Sequence, residues 1–314
     1  MNASPNPSME GRVVVITGGT SGIGLETARG VAARGAHVVL VGRGDPRVQQ
    51  VATEVARSSG NPHVEGLPVT DLALRSEWMR VGQELLRRYP AIHVLVNNAG
   101  AYIAHRETTS EGIERTFALN VLAPLGLTTL LANRMRTSPP ARIINVASAA
   151  HVRESVHLED LQGTGSYHGF RAYGRSKLEL VLLTRELARR LAGTGVTVNS
   201  LHPGFIRSGF GRNNGGGIAL TIRFFALIAG RSARTGARTP IHLACDPDVA
   251  GITGEYFSGG RVVSTSRAGR DMAMARRLYE VCVPLVGLPP VPEPPGPVVS
   301  PPSAALANRA FATE

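Results

Sequence analysis

The fold of this chain is decided near its amino terminus by the stretch VVVITGGTSGIG, which runs from Val13 to Gly24. The run of β-branched residues from Val13 to Thr17 predicts a buried strand, and the residues from Gly22 to Arg34 have the pattern of a helix. The glycines between them let the backbone turn tightly and approach a pyrophosphate, while the N-terminus of the following helix supplies N–H donors. A strand, a glycine-rich turn and a helix in this order predict a dinucleotide-binding unit.

The same alternation continues along most of the chain. Near-continuous apolar strands that alternate with amphipathic helices imply a parallel sheet covered on both faces. The sequence therefore predicts an α/β fold with a single Rossmann-type, doubly wound parallel sheet, whose ligands bind beyond the carboxyl ends of the strands. The predicted strands are 13–17, 38–41, 64–68, 94–97, 142–146 and 196–201, and the predicted helices are 22–34, 47–57, 74–88, 111–136 and 173–191.

The alternation stops after His202. Residues 205–240 are rich in glycine, arginine and aromatic residues and include an apolar helix candidate at 218–229, so we expect a small helical substrate lobe there. A last strand near Tyr256 and a helix at 270–286 follow. Eight of the fourteen residues from Pro289 to Pro302 are proline, which predicts a disordered or extended tail. The expected organisation is a tail at 1–8, one domain at 9–288 and a tail at 289–314.

Composition limits the classes of function. The 314 residues are 43% hydrophobic, and the two cysteines have no disulfide or zinc-site spacing, which fits a reducing compartment. We find no secretory signal and no apolar run long enough to span a bilayer, and we expect a cytoplasmic protein whose contact with a membrane surface is left open. The net charge is +11, but no nucleic-acid motif accompanies it, so a phosphate-rich cofactor or an anionic membrane surface explains it better. The nine histidines have no ligand spacing, so we expect no metal site.

Lys177 is the only lysine among 34 basic lysine and arginine residues, and it follows Tyr173 by four positions. On a helix, side chains four residues apart lie on the same face. An ammonium differs from a guanidinium in size and hydration, and a nearby positive charge lowers the pKa of a phenol. The pair therefore indicates a site that needs an ammonium beside a tyrosine, with a solvated helix face as the alternative.

These features, the G-x-x-x-G-x-G turn and Tyr173-x-x-x-Lys177, resemble the short-chain dehydrogenase/reductase family. Further motifs of that family follow in the same order: Asn97-Asn98-Ala99-Gly100, Asn120, Ser148 and Pro203-Gly204. The resemblance covers roughly residues 9–288. It implies an enzyme that transfers a hydride between a nicotinamide cofactor and a carbonyl or alcohol.

The resemblance also implies the site residues. The catalytic set is Asn120, Ser148, Tyr173 and Lys177, in which Tyr173 exchanges a proton with the substrate oxygen and Ser148 orients that oxygen. Lys177 tunes the tyrosine and holds the nicotinamide ribose, and Asn120 holds a water that links Lys177 to solvent. The implied cofactor-binding residues are Gly18, Thr20, Ser21, Gly22, Ile23, Gly24, Arg43, Asp71, Leu72, Asn98, Ala99, Gly100, Tyr173, Lys177, Pro203, Gly204, Ile206 and Ser208.

The end of the second strand predicts which cofactor is used. In dinucleotide-binding folds an acidic residue there selects NAD, and a basic residue nearby favours the 2′-phosphate of NADP. Here Gly42 occupies the acidic position and Arg43 follows it. We therefore expect NADP(H), with NAD(H) as the alternative, and the resemblance places Asp71 against the adenine.

The spacing of 25 residues between Ser148 and Tyr173 is longer than is usual in the family, and the motif that begins at Asn145 reads NVASAAH. Both features are similar to the retinol dehydrogenase-like branch, which implies a lipophilic aldehyde or ketone as substrate. The apolar segment 218–229 fits a lid over such a substrate or a membrane contact, with burial in the core or in a subunit interface as the alternative. A C=C reductase of the protochlorophyllide reductase type and a non-enzymatic NADP-binding sensor or scaffold stay open. The family also implies a homo-oligomer formed through the helix of Tyr173.

Overall fold

A computed structural model describes residues 7–204 and 232–294. Its centre is one eight-stranded sheet with the strand order β3-β2-β1-β4-β5-β6-β7-β8, in which all neighbours are parallel except β7 and β8. The predicted doubly wound parallel sheet is therefore confirmed. The strands are β1 (Val13–Thr17), β2 (His37–Arg43), β3 (Val64–Val69), β4 (Val94–Asn97), β5 (Ala141–Val146), β6 (Val196–His202), β7 (Tyr256–Ser258) and β8 (Arg261–Val262).

The helices cover both faces of this sheet. They are α1 (Gly22–Ala32), α2 (Asp45–Ser59), α3 (Arg75–Arg88), α4 (Arg115–Arg136), α5 (Gly169–Arg190), α6 (Ala233–Gly236), α7 (Arg238–Cys245) and α8 (Met272–Val286). Helix α4 contains a π-helical turn at Ala118–Leu122. Helix α5 begins four residues before Tyr173, so the tyrosine and Lys177 both lie inside it.

Strand β1 shows why the sheet must be covered on both faces. Val14 and Ile16 belong to one hydrophobic cluster, and Val15 between them belongs to the other, yet all three are fully buried. Successive side chains of a strand point to opposite faces, so a strand that is apolar throughout needs helices on each side. The larger of the two clusters, which contains Val15, also holds Trp78 and Phe117, two of the largest fully buried side chains.

The sequence did not predict β8. It pairs antiparallel with β7 across Gly259 and Gly260, which have φ angles of 59° and 79°. Two residues with positive φ form the tight hairpin turn that matches the twist of a strand pair, and Gly-Gly is one of the preferred sequences for it. That dipeptide was the available signal, but the two-residue strand after it is too short for periodicity to detect.

The packed region continues beyond Leu288, the expected end of the domain. Val291 is 1% exposed and belongs to the larger hydrophobic cluster, and its N–H donates to the Tyr279 hydroxyl (2.8 Å). Glu293 forms an ion pair with Arg189 of α5 (2.7 Å). One valine among prolines can therefore hold the start of the tail against the domain. The helix candidate 218–229, most of the substrate lobe at 205–240, and residues 1–6 and 295–314 lie outside the described residues.

Helix α4 is the one candidate membrane span among the described residues, by length and composition only. Of its most apolar window, 78% is buried inside the protein. Its Phe117 and Leu131 are 1% and 0% exposed and pack in the larger hydrophobic cluster. This degree of burial is what a core helix of the domain shows.

Candidate active site

The glycine-rich turn lies at the carboxyl end of β1, in the middle of the sheet. Gly18 and Gly22 have φ angles of 65° and 57°, a region that L side chains rarely adopt. A Cβ added to Gly24 would lie 2.3 Å from the Gly18 carbonyl oxygen, so α1 can approach the turn only because this residue is glycine. Ser21, the N-cap residue of α1, makes no side-chain hydrogen bond to the helix. The first turn of α1 can therefore offer its N–H groups to a phosphate.

Asn98 ties this turn to the end of the neighbouring strand β4. Its Nδ2 donates to the carbonyl oxygens of Thr17 (2.9 Å) and Gly18 (3.2 Å). The Thr17 hydroxyl in turn accepts from the N–H groups of Asn98 and Ala99, at 3.0 Å each. These bonds fix the two loops at the point where the strand order reverses, which is where open α/β sheets bind their ligands.

Lys177 and Tyr173 lie on the same face of α5, as their spacing predicted. The Lys177 ammonium is 5.7 Å from the centre of the Tyr173 ring and donates to the carbonyl oxygen of Val146 at the end of β5 (3.0 Å). Lys177 is only 4% exposed. The alternative of a solvated helix face is therefore wrong, since the ammonium points into the protein.

Burial dominates the titration of both groups. It raises the pKa of Tyr173 to about 12, while the hydrogen bond with Ser148 lowers it. Burial also lowers the pKa of Lys177 to about 8. The resemblance implies that Lys177 and the nicotinamide charge together favour the phenolate, and among the described residues the burial of Tyr173 is the larger effect.

Ser148 contacts the tyrosine of this pair, and Asn120 lies near its lysine. The Ser148 hydroxyl oxygen accepts from the N–H of Ala150 (3.2 Å) and forms a hydrogen bond with Tyr173. Asn120 lies in the π-helical turn of α4, a feature frequent at functional sites, and is fully buried. Its amide exchanges two hydrogen bonds with the backbone of Ala101, both at 3.0 Å.

Gly100 joins Asn120 to Lys177. A Cβ added to Gly100 would lie 3.0 Å from Asn120 Oδ1 and 3.1 Å from Lys177 Nζ. The amide and the ammonium therefore flank the same glycine at the end of β4, and the structure brings all four predicted catalytic side chains into one site.

Comparison with known proteins decides the family. The sequence profile described as short chain dehydrogenase matches residues 12–216. This chain belongs to the short-chain dehydrogenase family. It is 37% identical to mouse retinol dehydrogenase 12 over 283 residues, which cover 90% of this chain and 89% of that protein. It is 35% identical to human retinol dehydrogenase 13 over 288 residues, which cover 90% of this chain and 86% of that protein.

Solved structures agree with this assignment. An uncharacterised protein from Mycobacterium paratuberculosis matches with a TM-score of 0.71 and 29% identity over 92% of this chain and 97% of that one. The complex of Pseudomonas aeruginosa RhlG with NADP matches with a TM-score of 0.65 and 29% identity over 82% and 99%. The predicted retinol dehydrogenase-like branch is thus confirmed, and this short-chain dehydrogenase is an oxidoreductase that uses a nicotinamide cofactor on CH–OH or C=O groups.

The residues predicted to bind the adenosine end of the cofactor, Arg43 and Asp71, lie at or beyond the ends of β2 and β3 in this short-chain dehydrogenase. A Cβ added to Gly42 would come within 2.4 Å of Thr20 Cγ2, so an acidic side chain would fit there only if Thr20 moved. Arg43 is exposed at the end of β2. The Asp71 carboxylate accepts hydrogen bonds from Arg115 and from the N–H of Ala73 (3.0 Å), which fix its orientation.

Those of the predicted cofactor-binding residues that the structure describes lie along one edge of the sheet of this dehydrogenase. They follow the carboxyl ends of β1, β2, β3, β4 and β6 or, for Tyr173 and Lys177, face the end of β5. The N–H of Gly204 donates to His202 Nδ1 (3.1 Å), which holds the turn after β6. Ile206 and Ser208 lie outside the described residues.

Sequence reasoning missed three aromatic residues beside the dehydrogenase site. Tyr102 packs edge-on against Tyr173, with 6.4 Å between the ring centres. His151 is fully buried in the short 3-10 helix Ala149–Arg153, and its ring meets that of Tyr256 at 4.9 Å. Tyr102 lies two residues after Gly100 and His151 three after Ser148, so their closeness to site motifs was the available signal.

Proposed function

We propose that this enzyme is an NADP(H)-dependent reductase of a lipophilic aldehyde or ketone, or the corresponding alcohol dehydrogenase, with Asn120, Ser148, Tyr173 and Lys177 as its catalytic residues. One observation carries the proposal: the Tyr173 hydroxyl bonds to Ser148 while the buried Lys177 ammonium lies behind the same ring. Tyr173 is then the proton donor, Ser148 the hydroxyl that orients the substrate oxygen, and Lys177 the positive charge, and all three groups lie in one site.

The protonation states suit carbonyl reduction. With its pKa near 12, Tyr173 keeps its proton at neutral pH and can give it to the oxygen of a carbonyl as that oxygen becomes an alcohol. The Ser148 oxygen accepts from Ala150 and its hydroxyl is bonded to Tyr173, so its single hydrogen would turn to donate to the substrate oxygen when substrate binds. The bound nicotinamide would supply the hydride.

Lys177 is the group that would restore the Tyr173 proton. Its pKa near 8 keeps it mostly charged at neutral pH while allowing it to lose a proton more easily than an exposed lysine. Asn120 lies beside it across Gly100, with its amide held by Ala101. We propose that Asn120 holds the start of a water path from Lys177 to solvent.

The preference for NADP(H) rests on two residues. Gly42 leaves no carboxylate to bind the ribose 2′-hydroxyl, and the exposed Arg43 guanidinium can form paired charge-assisted hydrogen bonds with a 2′-phosphate. NAD(H) is the alternative. The support for a lipophilic substrate is the similarity to proteins named retinol dehydrogenases, together with the buried aromatic Tyr102 beside Tyr173.

Titration with NADPH and NADH, followed by a panel of carbonyl compounds that includes all-trans-retinal, tests the proposal. Tight NADPH binding and oxidation that depends on a lipophilic carbonyl are expected. Stronger NADH binding would refute the cofactor preference alone, and turnover of small polar carbonyls alone would refute the substrate class. Reduction of C=C without alcohol formation would favour the protochlorophyllide reductase type, and binding without any turnover would favour a sensor.

The location and assembly of the enzyme are also proposals. We propose a cytoplasmic protein that contacts anionic membranes through segment 218–229, and sedimentation with anionic liposomes tests it.

Assembly through α5 is disfavoured, because 16 of its 22 residues are buried within the single chain. We therefore expect any homo-oligomer to use another surface, which light scattering combined with crosslinking can examine.

A further inference from the structure

His151 is the last residue of the motif NVASAAH, for which the sequence predicted no role at this position, and it contacts the backbone of the proposed catalytic residue Ser148. Its ring nitrogen Nδ1 lies 2.6 Å from the main-chain oxygen of Ser148. The main-chain N–H of His151 also donates to that oxygen (3.3 Å). A carbonyl oxygen can only accept, so Nδ1 must carry a hydrogen. The imidazole is thus the closer of the two donors that hold this carbonyl.

The second ring nitrogen has no such contact. His151 Nε2 is buried and has no hydrogen-bond partner among the residues that the structure describes. The ring is instead held by aromatic packing, because Tyr256 meets it edge-on at 4.9 Å and is itself stacked with His202 at 6.0 Å. Burial lowers the pKa of His151, which favours the neutral ring with hydrogen on Nδ1 alone.

Both the side chain and the main chain of Ser148 are held by hydrogen bonds from residues of the following turn. Its hydroxyl oxygen accepts from Ala150, while its carbonyl oxygen accepts twice from His151. The backbone of Ser148 is extended, with φ −157° and ψ 151°, immediately before the short 3-10 helix Ala149–Arg153 begins. Without the imidazole, the carbonyl would keep only the 3.3 Å main-chain bond, and Ser148 could rotate away from Tyr173.

We propose that His151 is a positioning residue: by donating from Nδ1 to the Ser148 carbonyl, it fixes the Ser148 hydroxyl at the distance from Tyr173 that the reaction requires. This inference rests on the proposed function of Ser148. Displacement of a catalytic group by about 1 Å can lower a rate about 100-fold. His151 is therefore expected to affect turnover without touching cofactor or substrate.

Three substitutions separate the Nδ1 donor from the bulk of the ring. In His151→Asn the amide nitrogen stands close to the position of Nδ1, whereas in His151→Gln it stands near that of Nε2. His151→Ala removes both. His157→Ala is the matched control, because His157 lies in the same segment with its side chain 56% exposed.

We expect kcat of His151→Ala and His151→Gln to fall about 10- to 100-fold, and His151→Asn to stay within about threefold of the wild type. The dissociation constant for NADPH should change less than twofold in all three. Equal kcat losses in the Asn and Gln variants, or wild-type kcat in the Ala variant, would overturn the proposal. If His151→Ala does not fold, the Asn and Gln pair still decides the question.

A ¹⁵N spectrum of labelled histidine adds a readout that needs no substrate. The His151 signal, assigned by its loss in His151→Asn, should show hydrogen on Nδ1, and hydrogen on Nε2 alone would overturn the proposal.

Ser148→Ala distinguishes a failure of the proposed function from a failure of the role proposed for His151. Wild-type turnover in Ser148→Ala would refute the proposed function, whereas loss of turnover there with wild-type kcat in His151→Ala would refute only the role of His151.

Discussion

The ammonium of Lys177 lies under the ring of Tyr173, 5.7 Å from its centre, and is anchored to the carbonyl oxygen of Val146. This contact joins helix α5 to the carboxyl end of β5. It explains why a chain that otherwise uses arginine for every basic residue keeps one lysine. A compact ammonium fits beside Gly100, where even an added Cβ would lie 3.1 Å from Nζ, and a planar guanidinium would not.

Lys177→Arg should therefore lower kcat by about 100-fold or more, even though the charge is retained. The larger guanidinium must displace Gly100 or Asn120, which moves the charge away from Tyr173. Steady-state kinetics with NADPH and the best carbonyl substrate measure the effect. Lys177→Met, of similar length but uncharged, is the control, and near-normal turnover in the arginine variant would show that only charge matters here.

The buried lysine also predicts a pH dependence. Its pKa is lowered to about 8, so Lys177 is charged below that pH and loses its charge as pH rises through it. Tyr173, with its pKa near 12, keeps its proton throughout this range. For carbonyl reduction, kcat/KM for NADPH should be level below pH 8 and fall above it, since this parameter reports ionisations of the free enzyme. A profile that stays flat to pH 10 would contradict the assignment.

Arg43→Leu should weaken NADPH binding by about 10-fold or more and leave NADH binding nearly unchanged, because a charge-assisted bond to a phosphate contributes about 1.5–3 kcal/mol. Arg43 is exposed, so the substitution should not unfold the domain. Arg57→Leu, at the far end of α2, is a matched control for the loss of one positive charge. Fluorescence titration measures both cofactors, and equal weakening for NADPH and NADH would show that Arg43 does not bind the 2′-phosphate.

Glu179 predicts a gain of stability. It is fully buried on α5, both its carboxylate oxygens have no hydrogen-bond partner among the described residues, and Arg175 Nε is 3.8 Å away. Burial raises the pKa of Glu179 to about 8, with Glu114 raising it further and Arg175 lowering it. Between pH 4.5 and 8 the unfolded chain carries this carboxylate ionised while the folded protein holds it protonated, so stability falls as pH rises through this window.

Glu179→Gln removes that ionisation and should raise the free energy of unfolding by about 1–3 kcal/mol at pH 8. The gain should shrink towards pH 5, where the folded and unfolded wild-type chains differ less in protonation. Urea denaturation at both pH values measures it. Glu159→Gln, which alters a carboxyl side chain that is 78% exposed, is the control, and a loss of stability at pH 8 in the Glu179 variant would mean that the carboxylate is ionised and paired in the folded protein.

The sequence was sufficient for the sheet and for the site motifs because these depend on local patterns. The run from Val13 to Ile16 is apolar on both faces, and the G-x-x-x-G-x-G spacing after it indicates a tight turn, in which the structure shows that Cβ atoms at Gly18 and Gly24 would crowd their neighbours. Tyr173 and Lys177 are four residues apart on one helix, so their shared face followed from helical geometry.

Other features could not be predicted, because they depend on contacts between distant segments. The raised pKa of Tyr173 follows from burial by surrounding elements, and Val291 is fixed by Tyr279 of α8. His151 meets Tyr256, which is 105 positions later in the chain, and nothing near His151 in the sequence indicates that contact. Such contacts require the tertiary structure.

Transfer of deuterium from the C4 position of labelled NADPH tests the central claim most directly. The enzyme, the labelled cofactor and a lipophilic carbonyl compound such as all-trans-retinal are incubated together, and the product is examined by mass spectrometry. We predict one deuterium on the carbon that bears the new hydroxyl group, and no such product from Tyr173→Phe with NADPH still bound. Deuterium on an alkene carbon with the carbonyl intact, or equal product from Tyr173→Phe, would contradict the account.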